Sequence, residues 1–545
     1  MLYGEKNKEK LRSMAFGYGS KEKGSVIPKY RLNEESIDAE AAKALIENQL
    51  LDEGNSRMNM ATFCQTYMEK QAVELMSETL DKNAIDKSEY PQTAELENRC
   101  VNILAQLWNA PKKSNYLGTS TVGSSEACML AGMAMKFRWR NQAKALGMDV
   151  LTRKPNLIIS SAYQICWEKF CVYWDVELRP VPVNRESLTL NLDEAAKLVD
   201  EYTIGVVGIL GTTYSGEYDD IKGLNDRIEK YNRAHPDRPD LVIHIDGACG
   251  GMFTPFVEPD LEWDFRLRNV VSISTSGHKY GLTYPGVGWV VWRDRKYLPE
   301  ELIFEVSYLG GNMPTMAINF SRSASQIVGQ YYNFLRFGRQ GYSHIHSKTL
   351  EIASVIGDRL DHTGMFELYN SGSRMPIICY TLKPKAKYSD GTPVVWNLYD
   401  LSDRLRMHGW QVPAYPLPDG AEEITVQRIV CRADLTFNLA EAFVTDFYQC
   451  LEDLKHAHVL CNEEKTGSYG FTHGGRFPGL VRRISEEISK GVEESELFQA
   501  NESIRQVVRT AMSNSALAAN PTTKPGDDTL QKLILNEQRL EGGKK

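Results

Sequence analysis

In the stretch Val271–Arg293, VSISTSGHKYGLTYPGVGWVVWR, a lysine stands where a solubilising charge has little use. Val271, Ile273 and Thr275 alternate with small polar residues, the period of a strand. The alternation breaks at Ser276–Gly277 and presents His278 and Lys279. Gly281, Pro285, Gly286 and Gly288 then force tight turns before Val290–Trp292 resumes a strand. A lysine at a strand end inside such a turn can become a desolvated amine that attacks an aldehyde. A lysine in a turn is more often an ordinary loop residue, so the case for chemistry rests on its companions.

Three companions stand at comparable places. Gly123-Ser124-Ser125 opens a helix, whose free N–H groups, dipole and two hydroxyls make an anion site. Asp246 ends the apolar run LVIHI and is followed by Gly247, Ala248, Cys249, Gly250 and Gly251. A buried acid needs a cationic partner. A protonated pyridine nitrogen supplies one, and Ala248 is small enough for a flat ring to lie against it. Thr213, in the loop Gly211–Gly216 after the strand GVVGIL, can hydrogen-bond near Asp246 or a ring oxygen, and Ser276 and His278 can donate to a phosphate. An aldehyde, an anion and a protonated pyridine together describe pyridoxal 5'-phosphate, held by Lys279 as a Schiff base. His244, just before Asp246, reads as a structural core histidine. No metal-ligating cluster is expected.

Thr213, Asp246 and Lys279 are spaced 33 residues apart, about one strand–helix–strand unit each. The elements that must position them follow. Residues 36–51 read as a helix capped by Ser36 or Asp38, with Ala42, Leu45, Ile46 and Leu50 on one face. Helices are expected at 69–80 and 93–109. From 116 a Gly/Ser/Thr-rich loop runs into a long helix. Strands at 157–160, 176–183, 205–210 and 241–245 alternate with helices at 194–202, capped by Asp193, and 221–232. This series implies a mainly parallel sheet covered on both faces, with ligands beyond the strand C-termini. A long helix from about 324 to 360 leads to an α+β region, with strands at 376–382 and 423–431 and helices at 396–408 and 439–455. The expected division is an N-terminal segment at 1–60, a large cofactor-binding domain at 61–345, a small C-terminal α+β domain at 346–465 and a polar, partly helical tail at 466–545.

The 545 residues are 42% hydrophobic, ample for a large core, and a net charge of −8 offers no basic field for nucleic acid or an anionic membrane. No apolar run reaches the roughly 18–20 residues of a membrane span. The charged N-terminus lacks the apolar stretch of a signal peptide. Ten scattered cysteines without a CxxC pair point to buried thiols in a reducing cytoplasm rather than to zinc or disulfides.

The strings TVGSSEACMLAGMAMKFRWR, HIDGACGGMFTPF, SISTSGHKYGL, YLGG and NFSRSASQ resemble the group II pyridoxal-phosphate decarboxylases, and within them the glutamate decarboxylases of bacterial, plant and fungal type. The resemblance runs from about residue 25 to 460. It implies a type I aminotransferase-like α/β fold with a large, mainly parallel seven-stranded sheet. It implies that Ser124, Ser125, Ser276 and His278 hold the phosphate, Asp246 pairs with the ring nitrogen, Gln164 stacks on the ring, Thr213 supports Asp246 or the ring, and Lys279 carries the cofactor. It also implies decarboxylation of L-glutamate to 4-aminobutyrate, with Lys279 or Tyr308 as the acid that reprotonates Cα.

Substrate selection rests on the same resemblance. Thr62 and the Phe63 N–H match groups that bind the distal carboxylate, and Arg428 matches an arginine that positions substrate. Asn83 and Asp86 match residues that approach from a neighbouring subunit, and Tyr308 and Phe320-Ser321 match segments that cross into the partner's site. A homodimer is thus the expected minimal active unit, with a hexamer open. An acid beside a carboxylate requires that one of the two carry a proton, which the resemblance ties to mildly acidic conditions. Two other readings compete. A decarboxylase of another amino acid should lack the Thr62/Asp86 pair, and a non-catalytic relative should have lost Lys279 or Asp246. In the tail, FPGLVRRISEEIS sets Phe477, Leu480, Val481, Ile484 and Ile488 against Arg482 and Arg483, with Arg476 just before, a pattern calmodulin can bind. The tail has no tryptophan and carries many glutamates, which favours a solvated or self-docking helix. His473 roughly matches a histidine that closes the bacterial site at high pH, but the chain continues well past it.

Overall fold

A computed structural model describes residues 30–34, 36–306 and 313–461. They fall into two compact units. The larger takes in residues up to Thr392 together with Leu405–Phe447, and the smaller Pro393–Arg404 together with residues from Tyr448 onward. The helices are α1 (Ala39–Leu50), α2 (Lys70–Glu78), α3 (Pro91–Leu107), α4 (Ser124–Ala145), α5 (Cys166–Tyr173), α6 (Leu192–Lys197), α7 (Ile221–Ala234), α8 (Thr254–Val257), α9 (Ser325–Asp361), α10 (Leu398–Met407) and α11 (Phe437–Cys461). The strands are β1 (Leu117–Thr121), β2 (Asn156–Ser160), β3 (Glu177–Val181), β4 (Thr203–Ile209), β5 (Ile243–Asp246), β6 (Val270–Ser276), β7 (Gly288–Trp292), β8 (Phe304–Val306), β9 (Met313–Thr315), β10 (Phe366–Ser371), β11 (Ile377–Leu382), β12 (Ala414–Pro416) and β13 (Thr425–Val430).

The larger unit is built on a seven-stranded sheet in the order β1-β7-β6-β5-β4-β2-β3. β6, β5, β4, β2 and β3 are parallel, and β7 runs against both β6 and β1. β4, β5, β6 and β7 are buried along their whole length, as central strands with both faces covered must be. Successive side chains serve opposite cores. Leu157 and Ile159 pack with Trp139, Trp167 and Phe170, while Ile158 joins Ile243, Ile245 and Trp108. A four-stranded antiparallel sheet, β10-β11-β13-β12, follows later in the chain. Among the described residues no helix is long and apolar enough to cross a membrane.

The seven-stranded, mainly parallel sheet agrees with the expectation from sequence; several local readings do not. Leu117–Thr121 was expected as loop and is a sheet strand, because backbone pairing to β7 carries it rather than apolar alternation. Asn191, not Asp193, caps α6, accepting the N–H groups of Asp193 and Glu194. α1 begins after Asp38 as expected, but it buries Ala41 and leaves Ile46 and Leu50 about half exposed.

Candidate active site

Parallel sheets bind ligands beyond their strand C-termini where the strand order reverses, here between β2 and β4. A cavity of about 270 Å³ lies at that edge. Its wall is drawn from the ends of β2 (Ala162, Gln164), β4 (Gly211, Thr213), β5 (Asp246, Ala248) and β6 (Ser276, His278, Lys279), and from the start of α4 (Ser124, Ser125, Glu126). The equal spacing of Thr213, Asp246 and Lys279 works because β4, β5 and β6 are adjacent. Short backbone bonds lock their exits together: Gly250 N–H donates to Leu210 O, 2.9 Å, and Ser276 N–H to Ala248 O, 3.2 Å. Gly211 turns the chain at φ +95°, a conformation few side chains tolerate.

The anion end is assembled from two directions. α4 starts at Ser124 after an extended Gly123, so its first N–H groups have no helical partner. The Ser124 N–H donates to Ser276 Oγ, 3.3 Å, joining the helix start to the β6 exit. His278 Nδ1 accepts the N–H groups of Gly286 and Val287, 3.4 and 3.3 Å, which leaves Nε2 as the donor of a neutral ring. Burial, with the Lys279 charge adding to it, pushes His278 down to about 4.

At the opposite end, Asp246 is buried and held by two donors, Trp167 Nε1 to Oδ2 at 2.9 Å and Ala248 N to Oδ1 at 3.1 Å. Thr213 was expected to hydrogen-bond there. It lines the cavity, but it gives its backbone carbonyl to the Arg428 guanidinium. Behind Asp246, His244 is bonded to Ser272 Oγ at 2.8 Å and Ser274 Oγ at 3.0 Å, the structural role read from sequence. Lys279 Nζ lies 3.6 Å from Cys249 Sγ and 5.2 Å from the centre of the Phe63 ring. Burial alone would lower its pKa. The neighbouring Cys249 and Asp246 outweigh burial and hold it above the ordinary lysine value.

The other expected residues divide into two groups. Phe63 and Arg428 meet beside Lys279: the guanidinium lies 4.5 Å from the Phe63 ring centre and donates to Ala61 O at 2.8 Å. Thr62 Oγ1 accepts the Cys64 N–H at 3.1 Å in the same loop. Gln164 Oε1 accepts the N–H of Cys166 at 2.7 Å, fixing the side chain at the cavity wall. Asn83, Asp86, Phe320 and Ser321 lie elsewhere and do not line this cavity. Asn83 Nδ2 donates to Ser321 Oγ at 3.3 Å, Asp86 Oδ1 accepts the Glu89 N–H at 3.2 Å, and Phe320 and Ser321 are exposed. Tyr308, His473 and the basic stretch at 476–488 lie outside the described residues.

Trp167, Cys249 and Glu126 were not anticipated from sequence. For Trp167 a signal existed: a buried indole seeks an acceptor, and Asp246 is a buried acceptor seeking a donor. For the other two the pairing becomes visible only in three dimensions.

The comparisons with known proteins agree with this geometry. Residues 27–383 match the pyridoxal-dependent decarboxylase conserved domain. The chain is 62% identical to a probable glutamate decarboxylase gamma of Listeria innocua over 475 residues, 87% of this chain and all of the relative. It is 58% identical to a glutamate decarboxylase of Lactococcus lactis subsp. lactis over 474 residues, again 87% of this chain and all of the relative. A solved glutamate decarboxylase of Lactobacillus brevis superposes with TM-score 0.77 at 57% identity, covering 81% of this chain and 98% of that one.

Proposed function

We propose how this cavity works from one premise: the chain belongs to the pyridoxal-dependent decarboxylase family and decarboxylates L-glutamate to 4-aminobutyrate and CO₂ with pyridoxal 5'-phosphate. The residues present fit that cofactor. A buried lysine amine with no oxygen partner among the described residues, a helix N-terminus with two serines, and a buried carboxyl on the β5 end all line one cavity. That convergence is the observation that carries the assignment of roles.

Ser124, Ser125, Ser276 and the Nε2–H of His278 would hold the phosphate, and Gln164 and Ala248 would flank the ring. Asp246 would pair with the ring nitrogen, oriented by Trp167 and Ala248 N–H. Lys279 Nζ would carry the cofactor. The chemistry the cofactor supplies when bound is an electron sink for the pair left at Cα when CO₂ departs. With glutamate bound, Lys279 would be left as a free amine at the cavity wall. That amine, 3.6 Å from Cys249 Sγ, would return a proton to Cα, with Tyr308 as the other candidate acid.

Arg428, the Thr62 hydroxyl and the Phe63 N–H would receive the carboxylates of the substrate. Asn83, Asp86, Phe320, Ser321 and Tyr308 would act in the cavity of a second copy, which makes a homodimer the minimal active unit. Support comes from the placement of Phe320, which is 41% exposed on a loop fixed by polar contacts. A cytoplasmic location and a self-docking or solvated tail, rather than a calmodulin-binding one, complete the proposal, with a hexamer built from such dimers left open.

Lys279→Ala tests the central assignment. We expect loss of glutamate decarboxylation and of the bound-cofactor absorbance band with an unchanged circular dichroism spectrum. Persistent turnover would remove Lys279 from its role.

A further inference from the structure

The reaction as described leaves Glu126 unused, although it lies in the first turn of α4, lines the cavity and is only 6% exposed. Its carboxyl is committed to backbone. Oε2 accepts the Val122 N–H at 2.8 Å, from the turn that leads into Ser124. Oε1 accepts the N–H groups of Ile318 and Asn319 at 2.9 and 3.2 Å. Hydrogen bonds to a carboxyl are stronger than neutral ones, and three donors released at a part-buried site would lose their partners together.

The segment it grips is the loop that carries Phe320 and Ser321. The far end of this loop is fastened separately. Asn83 Oδ1 accepts the Arg322 N–H at 3.3 Å, and the Arg322 guanidinium donates to Ser120 O on β1 at 3.1 Å. Between these clamps Ile318, Phe320 and Ser321 turn outward, with Ile318 47% exposed. The loop is therefore held rigidly at its roots and presented at its tip, an arrangement suited to reaching another molecule.

We infer that Glu126 is a positioning residue acting in trans: it fixes, against the wall of its own cavity, the loop that completes the cavity of a second copy of this chain. The inference rests on the proposed dimer in which Phe320 and Ser321 cross over. It adds that one carboxyl ties the cofactor-side turn of one site to the loop serving the other.

Mixed dimers test it. Differently tagged chains are co-expressed so that only one chain per dimer keeps Lys279, the other carrying Lys279→Ala. Glu126→Gln sets an amide donor against backbone donors and so breaks one side of the tie. Placed on the Lys279→Ala chain, it should lower turnover at the intact neighbour's cavity by about tenfold and speed cofactor release there. Placed on the Lys279-bearing chain, opposite an unaltered loop, it should cost at least about fivefold less. Equal losses in the two arrangements, or the larger loss in the second, overturn the inference.

Ser321→Ala on the Lys279→Ala chain separates this from the dimer reading. If Ser321→Ala has no effect in trans, the crossover itself fails. If Ser321→Ala acts in trans and Glu126→Gln does not, only the role of Glu126 fails. Glu126→Asp, too short to span Val122 and Ile318 together, should repeat the asymmetry. Failure of both Glu126 variants to assemble, where Ser321→Ala assembles, would assign Glu126 to folding rather than placement.

Discussion

Asp246 and Trp167 make the residue-scale case that a functional carboxyl is set by what donates to it. The indole has no chemistry of its own, yet its Nε1–H fixes Oδ2 while the Ala248 N–H fixes Oδ1. Trp167→Phe removes one donor and keeps most of the packing. A hydrogen bond to a charged group is worth about 1.5–3 kcal/mol, so we expect cofactor affinity to fall roughly tenfold or more, measured by equilibrium dialysis. Unchanged affinity would mean that Ala248 N–H suffices. Lys279 and Asp246 were legible in the sequence because a charged residue in an apolar or glycine-rich setting stands out. Asn83 and Asp86 were expected only through resemblance, since their loop carries no physical mark of a site, and neither lines the cavity. Glu126 was hidden because an acid in the first turn of a helix is ordinary, and its partners at Ile318 and Asn319 are distant in sequence.

At the scale of elements, the site depends on how closely α4 can approach the sheet. A Cβ added at Gly288, the first residue of β7, would stand 2.3 Å from the Gly123 carbonyl carbon and 2.7 Å from its Cα. Both contacts are to backbone, so no side-chain rotation relieves them. Gly288→Ala must push back the turn before Ser124, where the anion end is built. We expect a stability loss of about 1–3 kcal/mol in denaturant unfolding, together with faster loss of cofactor on gel filtration. Wild-type retention of cofactor would show that the turn yields without disturbing the helix start. This contact was not readable from sequence, because β1 itself was not. Leu117–Thr121 is LGTST, without the β-branched apolar alternation that marks Val270–Ser276, and only its pairing with β7 makes it a strand. The parallel strands β2, β4, β5 and β6 were legible for the opposite reason: their two buried faces demand apolar runs.

At the scale of the whole molecule, three histidines among the described residues are held neutral by burial. His244 and His346 are pushed down to about 3, and His278 to about 4 with help from the Lys279 charge. His346 shows the cause plainly: it is fully buried, and burial outweighs its backbone hydrogen bonds, of which Nε2 to Met252 O is 3.0 Å. The unfolded chain takes up these protons near pH 6.5, the folded chain only near 4 or below. Their stabilising contribution is therefore complete above about pH 6.5 and drains away as pH falls towards 4, by up to about 1.4 kcal/mol per pH unit for each histidine. We expect the unfolding free energy to decline over that window, and His346→Gln to flatten the decline by about one proton. An unaltered slope in that variant would clear His346 of the effect.

The strand order also has a meaning in time. All seven strands of the large sheet lie between Leu117 and Trp292, uninterrupted by any strand of the second sheet, whereas Arg428 comes much later in the chain. At synthesis rates of about 5–20 residues per second, the gap between Trp292 and Arg428 is roughly seven to twenty-seven seconds. A growing chain thus possesses every strand whose end lines the cavity, Lys279 included, well before Arg428 has been made.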